Sequence, residues 1–180
     1  MKKIFFYIIS LSIIIFLETS TLINRYISIN KVIPDFLLIY LIIISFYADE
    51  FEAITIGFLS GLVLDFFTSS LFGFNSILNV IIIFIFIKIK KIINIEKIGF
   101  LITIIFTSLI FKLFALYFFG FLFKELFTLY ANVLLNYFIN IFYTLFVSPL
   151  FFYIITIIIK KFNIYKDQIF IWLNNFLILF

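Results

Sequence analysis

Three ionisable residues lie within apolar runs of this sequence, where a charged side chain is energetically expensive. They are Glu18, Asp65 and Lys112. An ionisable side chain in an apolar span usually faces other protein groups and pairs with a group of opposite charge. We therefore expect Lys112 to form an ion pair with Asp65 or Glu18 inside a helical bundle. The alternative is that each side chain extends along its stem to the edge of the apolar layer.

A stripe of small residues precedes Asp65 in the same apolar run. Ala53, Gly57 and Gly61 recur every four positions, and residues four apart lie on one face of a helix. In lipid, small residues allow two helix backbones to approach closely. The stripe predicts a tight helix contact, which we expect within this chain. The alternative is a contact with another subunit.

The last apolar run carries a second stripe with the same spacing, made of small polar side chains. Its members are Asn132, Asn136, Asn140, Thr144 and Ser148. Such side chains can hydrogen-bond to a neighbouring helix or line a polar cavity. We expect the stripe to serve helix packing.

The residues that usually perform catalysis are missing from this sequence. It contains no Cys and no His, which excludes thiol chemistry, disulfides, imidazole catalysis and the usual zinc ligands. It also has no Gly-rich phosphate loop. The acidic run of Asp49, Glu50 and Glu52 could hold a cation, but such a run is more typical of a solvated turn. We expect no catalytic residue, no metal and no cofactor.

The composition is that of a protein that crosses a membrane several times. Of the 180 residues, 66% are apolar, and the mean hydropathy is +1.34, whereas a soluble domain is about half apolar. The length allows about six spans of roughly 20 residues with short loops. The net charge of +4 is explained by basic cytoplasmic loops, so we expect contact with membrane lipids and none with nucleic acid.

We predict an all-α, polytopic membrane bundle with about six transmembrane helices. The predicted helices are 4–23, 34–48, 53–67, 75–87, 98–119 and 130–159. Residues 1–166 form the six-span domain in this interpretation. The first helix is expected to remain uncleaved. The apolar tail 167–180 is too short to span and is expected to be interfacial or re-entrant.

Several residues mark the ends of these helices. Pro34 and Asp35 are expected to open the second helix, with the proline in its first turn and the carboxylate near its positive end. Asn75 or Ser76 can cap the fourth helix, and Gly73 is the natural turn residue before it. The last run is too long for one upright span, so it either tilts or is kinked by Pro149.

Basic residues predict the orientation of the six spans. With the N-terminus in the cytoplasm, nine of the 13 Lys and Arg residues lie on the cytoplasmic side, as the positive-inside rule requires. The nine are Lys2, Lys3, Lys88, Lys90, Lys91, Lys97, Lys160, Lys161 and Lys166. The outer side carries Arg25, Lys31 and Lys124. Both termini are therefore expected in the cytoplasm.

Three short motifs resemble those of the rod shape-determining protein MreD family. They are Pro34-Asp35, the stripe that ends in Gly61-Leu62-Val63-Leu64-Asp65, and the turn Leu71-Phe72-Gly73-Phe74-Asn75. The turn departs from the family pattern because it lacks a proline. The general similarity covers about residues 1–165. The resemblance singles out Pro34, Asp35, Gly57, Gly61, Asp65 and Gly73 as helix-packing or interaction residues.

The resemblance implies a non-catalytic subunit of the cell-elongation complex in the bacterial inner membrane. Its implied partners are MreC, the actin-like MreB, and the peptidoglycan polymerase RodA with its transpeptidase. The family is also similar in fold to the substrate-binding components of energy-coupling-factor transporters. The alternative function is a membrane substrate-binding component of a small-molecule (vitamin-type) transporter, with its ligand held among Glu18, Asp65, Lys112 and the polar stripe at 132–148. A centre filled with side chains favours the scaffold, and a polar cavity open to the exterior favours the transporter.

Overall fold

A computed structural model describes residues 2–68, 72–92, 98–123 and 131–161 of the chain. Within these ranges the secondary structure is helical, apart from a bridge between Ile29 and Val32. The helices are α1 Lys2–Thr19, α2 Thr21–Ile27, α3 Phe36–Tyr47, α4 Glu50–Phe67, α5 Phe74–Ile92, α6 Ile98–Phe123 and α7 Ala131–Lys161. The predicted all-α class is confirmed for the described residues. The tail 167–180 lies outside them.

The first predicted helix, 4–23, is wrong in its extent. The structure divides it at Ser20, whose ψ of 115° is extended, so α1 ends at Thr19 and the short α2 follows. A two-residue turn then reverses the chain, with φ of 51° at Asn30 and 66° at Lys31. Paired backbone hydrogen bonds of 2.9 Å between Ile29 and Val32 close this turn.

The helix α3 is the centre of the bundle. All twelve of its residues are buried, and it contacts α1, α4, α5, α6 and α7. A helix that is apolar all round must be enclosed by protein or lipid, and here the other helices enclose it. At about 18 Å, α3 is shorter than the hydrocarbon layer of roughly 30 Å. Along its length α3 is therefore covered by protein.

Charged groups cap both ends of α3. Asp35 is the N-cap, and its Oδ1 atom accepts a hydrogen bond of 2.8 Å from the Leu38 amide. Contrary to the prediction, Pro34 therefore precedes the cap and does not occupy the first turn. At the other end, the Lys90 ammonium donates to the carbonyls of Ser45 and Phe46. A carboxylate at the positive end of a helix and an ammonium at the negative end both stabilise it.

The helices α4 and α5 form the closest pair in the bundle. A Cβ atom at Gly61 would lie 2.5 Å from the Ser76 nitrogen and 2.8 Å from the Asn75 carbonyl carbon. A Cβ atom at Gly57 would overlap the Cδ1 atom of Ile83. Ala53 is also buried on α4. The small-residue stripe therefore faces a helix of the same chain at both glycines.

The last apolar run forms one helix, α7, which continues through Pro149. The tilt or kink expected for this run stays a prediction. A proline lacks an N–H group and leaves the carbonyl four residues earlier without its helical donor. Here that carbonyl belongs to Leu145, and the Ser148 hydroxyl donates a hydrogen bond of 2.9 Å to it. At 31 residues, α7 is about 46 Å long and exceeds the thickness of the hydrocarbon layer.

Two of the described helices are long and apolar enough to cross a membrane. The segments are Gly99–Phe119 and Leu134–Ile159. Phe5–Thr19 and Phe36–Tyr47 are apolar but shorter. Large apolar side chains also cover the outside of the bundle, among them Phe66 and Phe146, which are 75% and 84% exposed. An apolar exterior of this extent is typical of a protein surrounded by lipid.

The contacts of the two glycines predict different costs for the same substitution. Gly61→Ala should lower the free energy of unfolding by about 3 kcal/mol or more, because its new methyl group meets the backbone of α5. Gly57→Ala should cost about 1 kcal/mol, because the end of the Ile83 side chain can move. The measurement is the apparent melting temperature of the full chain in detergent, followed by circular dichroism.

Gly99→Ala is the control, because a Cβ atom at Gly99 would have no neighbouring atom within 4 Å and alanine favours a helix. Equal losses for the Gly57 and Gly61 variants would contradict the close backbone contact between α4 and α5.

Candidate functional site

A polar cavity of about 450 Å³ lies at the N-terminal end of α3. This volume is within the usual range for small-molecule sites. Five elements of the chain contribute to its walls, together with the turn before Pro34. The polar lining residues are Glu18, Lys31, Asp35, Asn75, Lys112, Asn136, Tyr137 and Asn140. We call the end of the bundle that holds this cavity the turn end, because it carries the turns at 28–34 and 72–74.

An ion pair forms the floor of the polar cavity. The Lys112 ammonium donates to the Asp35 Oδ2 atom at 2.6 Å, and the two side chains are only 10% and 15% exposed. Our expectation that Lys112 pairs with Asp65 or Glu18 is therefore wrong about the partner. The observed partner, Asp35, lies at the start of the central helix, which α6 contacts directly.

The polar stripe on α7 contributes both to helix packing and to the cavity. The Asp35 amide donates to the Thr144 hydroxyl at 3.0 Å, and Asn140 Nδ2 donates to the Ile33 carbonyl at 2.6 Å. These bonds attach α7 to the segment that precedes α3. Asn136 and Asn140 line the cavity, whereas Ser148 bonds within its own helix. The side chain of Asn132 lies outside the described residues.

Asp65 holds the start of α5. Its Oδ2 atom accepts from the Gly73 amide at 2.9 Å, and its Oδ1 atom accepts from the Asn75 amide at 3.2 Å and from Asn75 Nδ2 at 2.8 Å. The helix begins at Phe74, so the prediction of a cap at Asn75 or Ser76 is wrong. Asp65 takes that role from the preceding helix. Gly73 has a φ of +88°, as its predicted turn position requires.

Glu18 is in a different situation from the two aspartates. Its Oε2 atom is buried and has no hydrogen-bond donor among the described residues. It is the last residue but one of α1, where the negative end of the helix disfavours a carboxylate. Lys31 lines the same cavity, and its residue is exposed. No ion pair joins Glu18 to Lys31 in the described structure.

The acidic run lies at the opposite end of the bundle, which we call the lysine end. The Lys91 ammonium pairs with Glu50, and its hydrogen bond lowers the pKa of that carboxyl below the usual value. Glu52 accepts from the Tyr7 hydroxyl at 3.1 Å and lies 4.0 Å from the Lys3 ammonium. Within the described ranges, no group of three acidic residues is arranged to hold a metal ion.

Two tyrosines at this end of the bundle were not predicted from the sequence. Tyr137 lines the cavity, and the Tyr143 hydroxyl donates to the Ile27 carbonyl at 2.7 Å. Tyr137 follows Asn136 in the sequence and Tyr143 precedes Thr144, so both tyrosines lie beside the polar stripe on α7. Aromatic residues are too common in this chain, with 23% Phe, Tyr and Trp, for two tyrosines to attract notice.

A comparison with known families identifies the family of this chain. A family model described as rod shape-determining protein MreD matches residues 1–162. Neither the curated proteins nor the solved structures contain a match to this chain.

The Asp35–Lys112 pair predicts a recovery of stability in a double variant. Lys112→Met leaves a buried carboxylate without its cation and should lower the free energy of unfolding by about 3 kcal/mol. Adding Asp35→Asn should restore most of this loss, since it removes the unpaired charge and asparagine is also a good N-cap. Melting temperatures of both variants in detergent measure the effect. Lys88→Met, at an exposed lysine, is the control, and an equal loss there would contradict the prediction.

The hydrogen bonds that Asp65 accepts predict that its replacement has a local effect at the start of α5. Asp65→Ala removes the acceptor of two backbone amides and should cost about 2 kcal/mol. Hydrogen exchange at the amides of Gly73 and Asn75 should become faster, while exchange in α3 changes little. Glu50→Ala, at the lysine end, should leave both amides protected. Unchanged exchange at Gly73 and Asn75 in the Asp65 variant would show that the carboxylate does not hold this turn.

Proposed function

Because the chain belongs to the rod shape-determining protein MreD family, we propose that it is a non-catalytic subunit of the bacterial cell-elongation complex. In this role it is an assembly partner for MreC and, through it, for the proteins that synthesise peptidoglycan. The observation that carries the proposal is the family match, which spans residues 1–162 of the 180.

The side-chain chemistry of the bundle supports a role in assembly. Several polar side chains near α3 join helices: Asp35 binds Lys112, Asp65 binds the start of α5, and Lys90 caps α3. The centre of the bundle is filled by α3. A protein whose polar groups join its own helices has its exterior available for contacts with other membrane proteins.

We propose six spans with both termini in the cytoplasm. The lysine end then faces the cytoplasm and carries Lys3, Lys90 and Lys91. The turn end faces the periplasm, where MreC would be met. The larger number of basic residues at the lysine end supports this orientation, because cytoplasmic loops of membrane proteins are rich in Lys and Arg.

An exposed aromatic pair at the turn end is our candidate contact for MreC. Phe66 is 75% exposed and Phe72 is 65% exposed. Their rings pack edge to face, with centroids 5.0 Å apart. Aromatic side chains are enriched among the residues that contribute most to protein–protein binding. The hydrogen bonds from Gly73 and Asn75 to Asp65 hold the segment beside this pair in place.

The second candidate function is a substrate-binding component of a small-molecule transporter. One observation favours it: the polar cavity at the turn end, whose volume is about 450 Å³. The filled centre of the bundle favours the assembly role. Co-purification distinguishes the two functions, since the first requires retention of MreC and the second requires retention of a transporter ATPase.

The experiment is co-purification of the tagged full chain with MreC from the same bacterium. The wild-type chain should retain MreC, and Phe66→Ala combined with Phe72→Ala should weaken retention by about tenfold or more. Phe146→Ala is the matched control, because Phe146 is exposed on a different helix. Melting temperatures establish that both variants are folded.

The outcomes separate the proposals. Retention of MreC at the wild-type level by the double variant would reject the aromatic pair as the contact. Failure of the folded wild-type chain to retain MreC would reject the assembly role, and recovery of an ATPase in its place would support the transporter.

A further inference from the structure

The polar cavity is lined by two charged residues that form no ion pair within the described structure. Its lining contains four charged residues, and Asp35 and Lys112 satisfy each other at 2.6 Å. Glu18 and Lys31 remain, and these two carry opposite charges. The cavity therefore offers one negative and one positive group, without an ion pair between them in the described structure.

Of these two residues, Glu18 is the one whose position would gain more from a bound group. Its Oε2 atom is buried and has no donor among the described residues. A buried carboxylate oxygen without a donor is costly, and its place near the C-terminal end of α1 adds an unfavourable helix dipole. A group that brings a positive charge and N–H donors would remove both penalties.

Lys31 lies at the rim of the same cavity. It belongs to the turn in which Asn30 and Lys31 have positive φ values, and the paired bonds between Ile29 and Val32 fix that turn. The exposed ammonium of Lys31 can therefore meet an anionic group that enters from the turn end. Asn136, which also lines the cavity, supplies an amide that can both donate and accept.

We propose that this cavity binds a small zwitterion, with its ammonium group at Glu18 and its anionic group at Lys31. The ligand is either a free molecule or the headgroup of a zwitterionic lipid, because both present the same pair of charges. This binding does not depend on the role in cell elongation proposed above.

The experiment measures the apparent melting temperature of the purified full chain in a non-ionic detergent. The soluble zwitterions are phosphoethanolamine and β-alanine. Ethyl phosphate lacks the ammonium group, and ethanolamine lacks the anion. A zwitterion should raise the melting temperature in a saturable way, because a ligand that binds only the folded state stabilises it. Each single-charge compound should bind about tenfold more weakly or worse.

The variants test the two positions separately. Glu18→Gln keeps the size of the side chain and removes its charge, so it should weaken zwitterion binding by about tenfold while leaving the protein folded. Lys31→Gln should weaken binding of the zwitterions but not of ethanolamine. Glu50→Gln is the matched control at the lysine end, where Glu50 pairs with Lys91, and it should bind as the wild type does.

A second arm distinguishes the sources of the ligand. The chain is placed in nanodiscs of phosphatidylglycerol with or without phosphatidylethanolamine. An increase in melting temperature that requires phosphatidylethanolamine and is lost in Glu18→Gln identifies a lipid headgroup. An increase with soluble zwitterions that is lost in the same variant, together with no effect of phosphatidylethanolamine, identifies a free ligand.

The proposal is overturned if neither soluble zwitterions nor phosphatidylethanolamine raise the melting temperature of the wild-type chain. It is also overturned if the increase is the same in Glu18→Gln. Retention of MreC is measured on separate samples, so the failure of this proposal and the failure of the assembly role can be told apart.

Discussion

The ion pair between Asp35 and Lys112 determines how the central helix is held. The Asp35 carboxylate accepts from Lys112 and from the Leu38 amide, and the Asp35 amide donates to Thr144. The start of α3 is thereby attached to α6 and α7 at one point. In an apolar bundle, a charge that loses its partner has no water to replace it. The position of α3 relative to its neighbours is therefore strongly specified at this end.

The start of α5 and its close contact with α4 also depend on a carboxylate at the positive end of a helix. Both Asp35 and Asp65 place a carboxylate at the positive end of a helix, where the dipole and the free amides stabilise it. Asp35 caps its own helix, whereas Asp65 caps the helix that follows. This second arrangement requires the start of α5 to lie against α4, and Gly61 provides the space for it. The glycine and the carboxylate four residues later therefore act together.

The sequence predicted the all-α class, which the described helices confirm. It also identified the small residues of α4 and the turn at Gly73, because glycine spacing and turn chemistry are local properties. The pairing of Lys112 could not be predicted in the same way. Nearly every position of these helices is apolar, so no polar face indicates which side of a helix points inward. Asp65 and Glu18 were both expected partners for this reason, whereas the central position of α3 brings Asp35 to Lys112.

Glu18 shows that the pairing of a carboxylate in this bundle depends on its position along a helix as well as on its charge. Asp35 and Asp65 lie at the positive ends of helices, whereas Glu18 lies one residue from the negative end of α1. Lys112 has a single ammonium, and Asp35 receives it at 2.6 Å. The Oε2 atom of Glu18 must therefore obtain its donor from another source or accept a proton. Because Glu18 lines a cavity of about 450 Å³ that Lys31 also lines, a group entering that cavity can reach it, and an ammonium supplies both the charge and the donors that α1 does not.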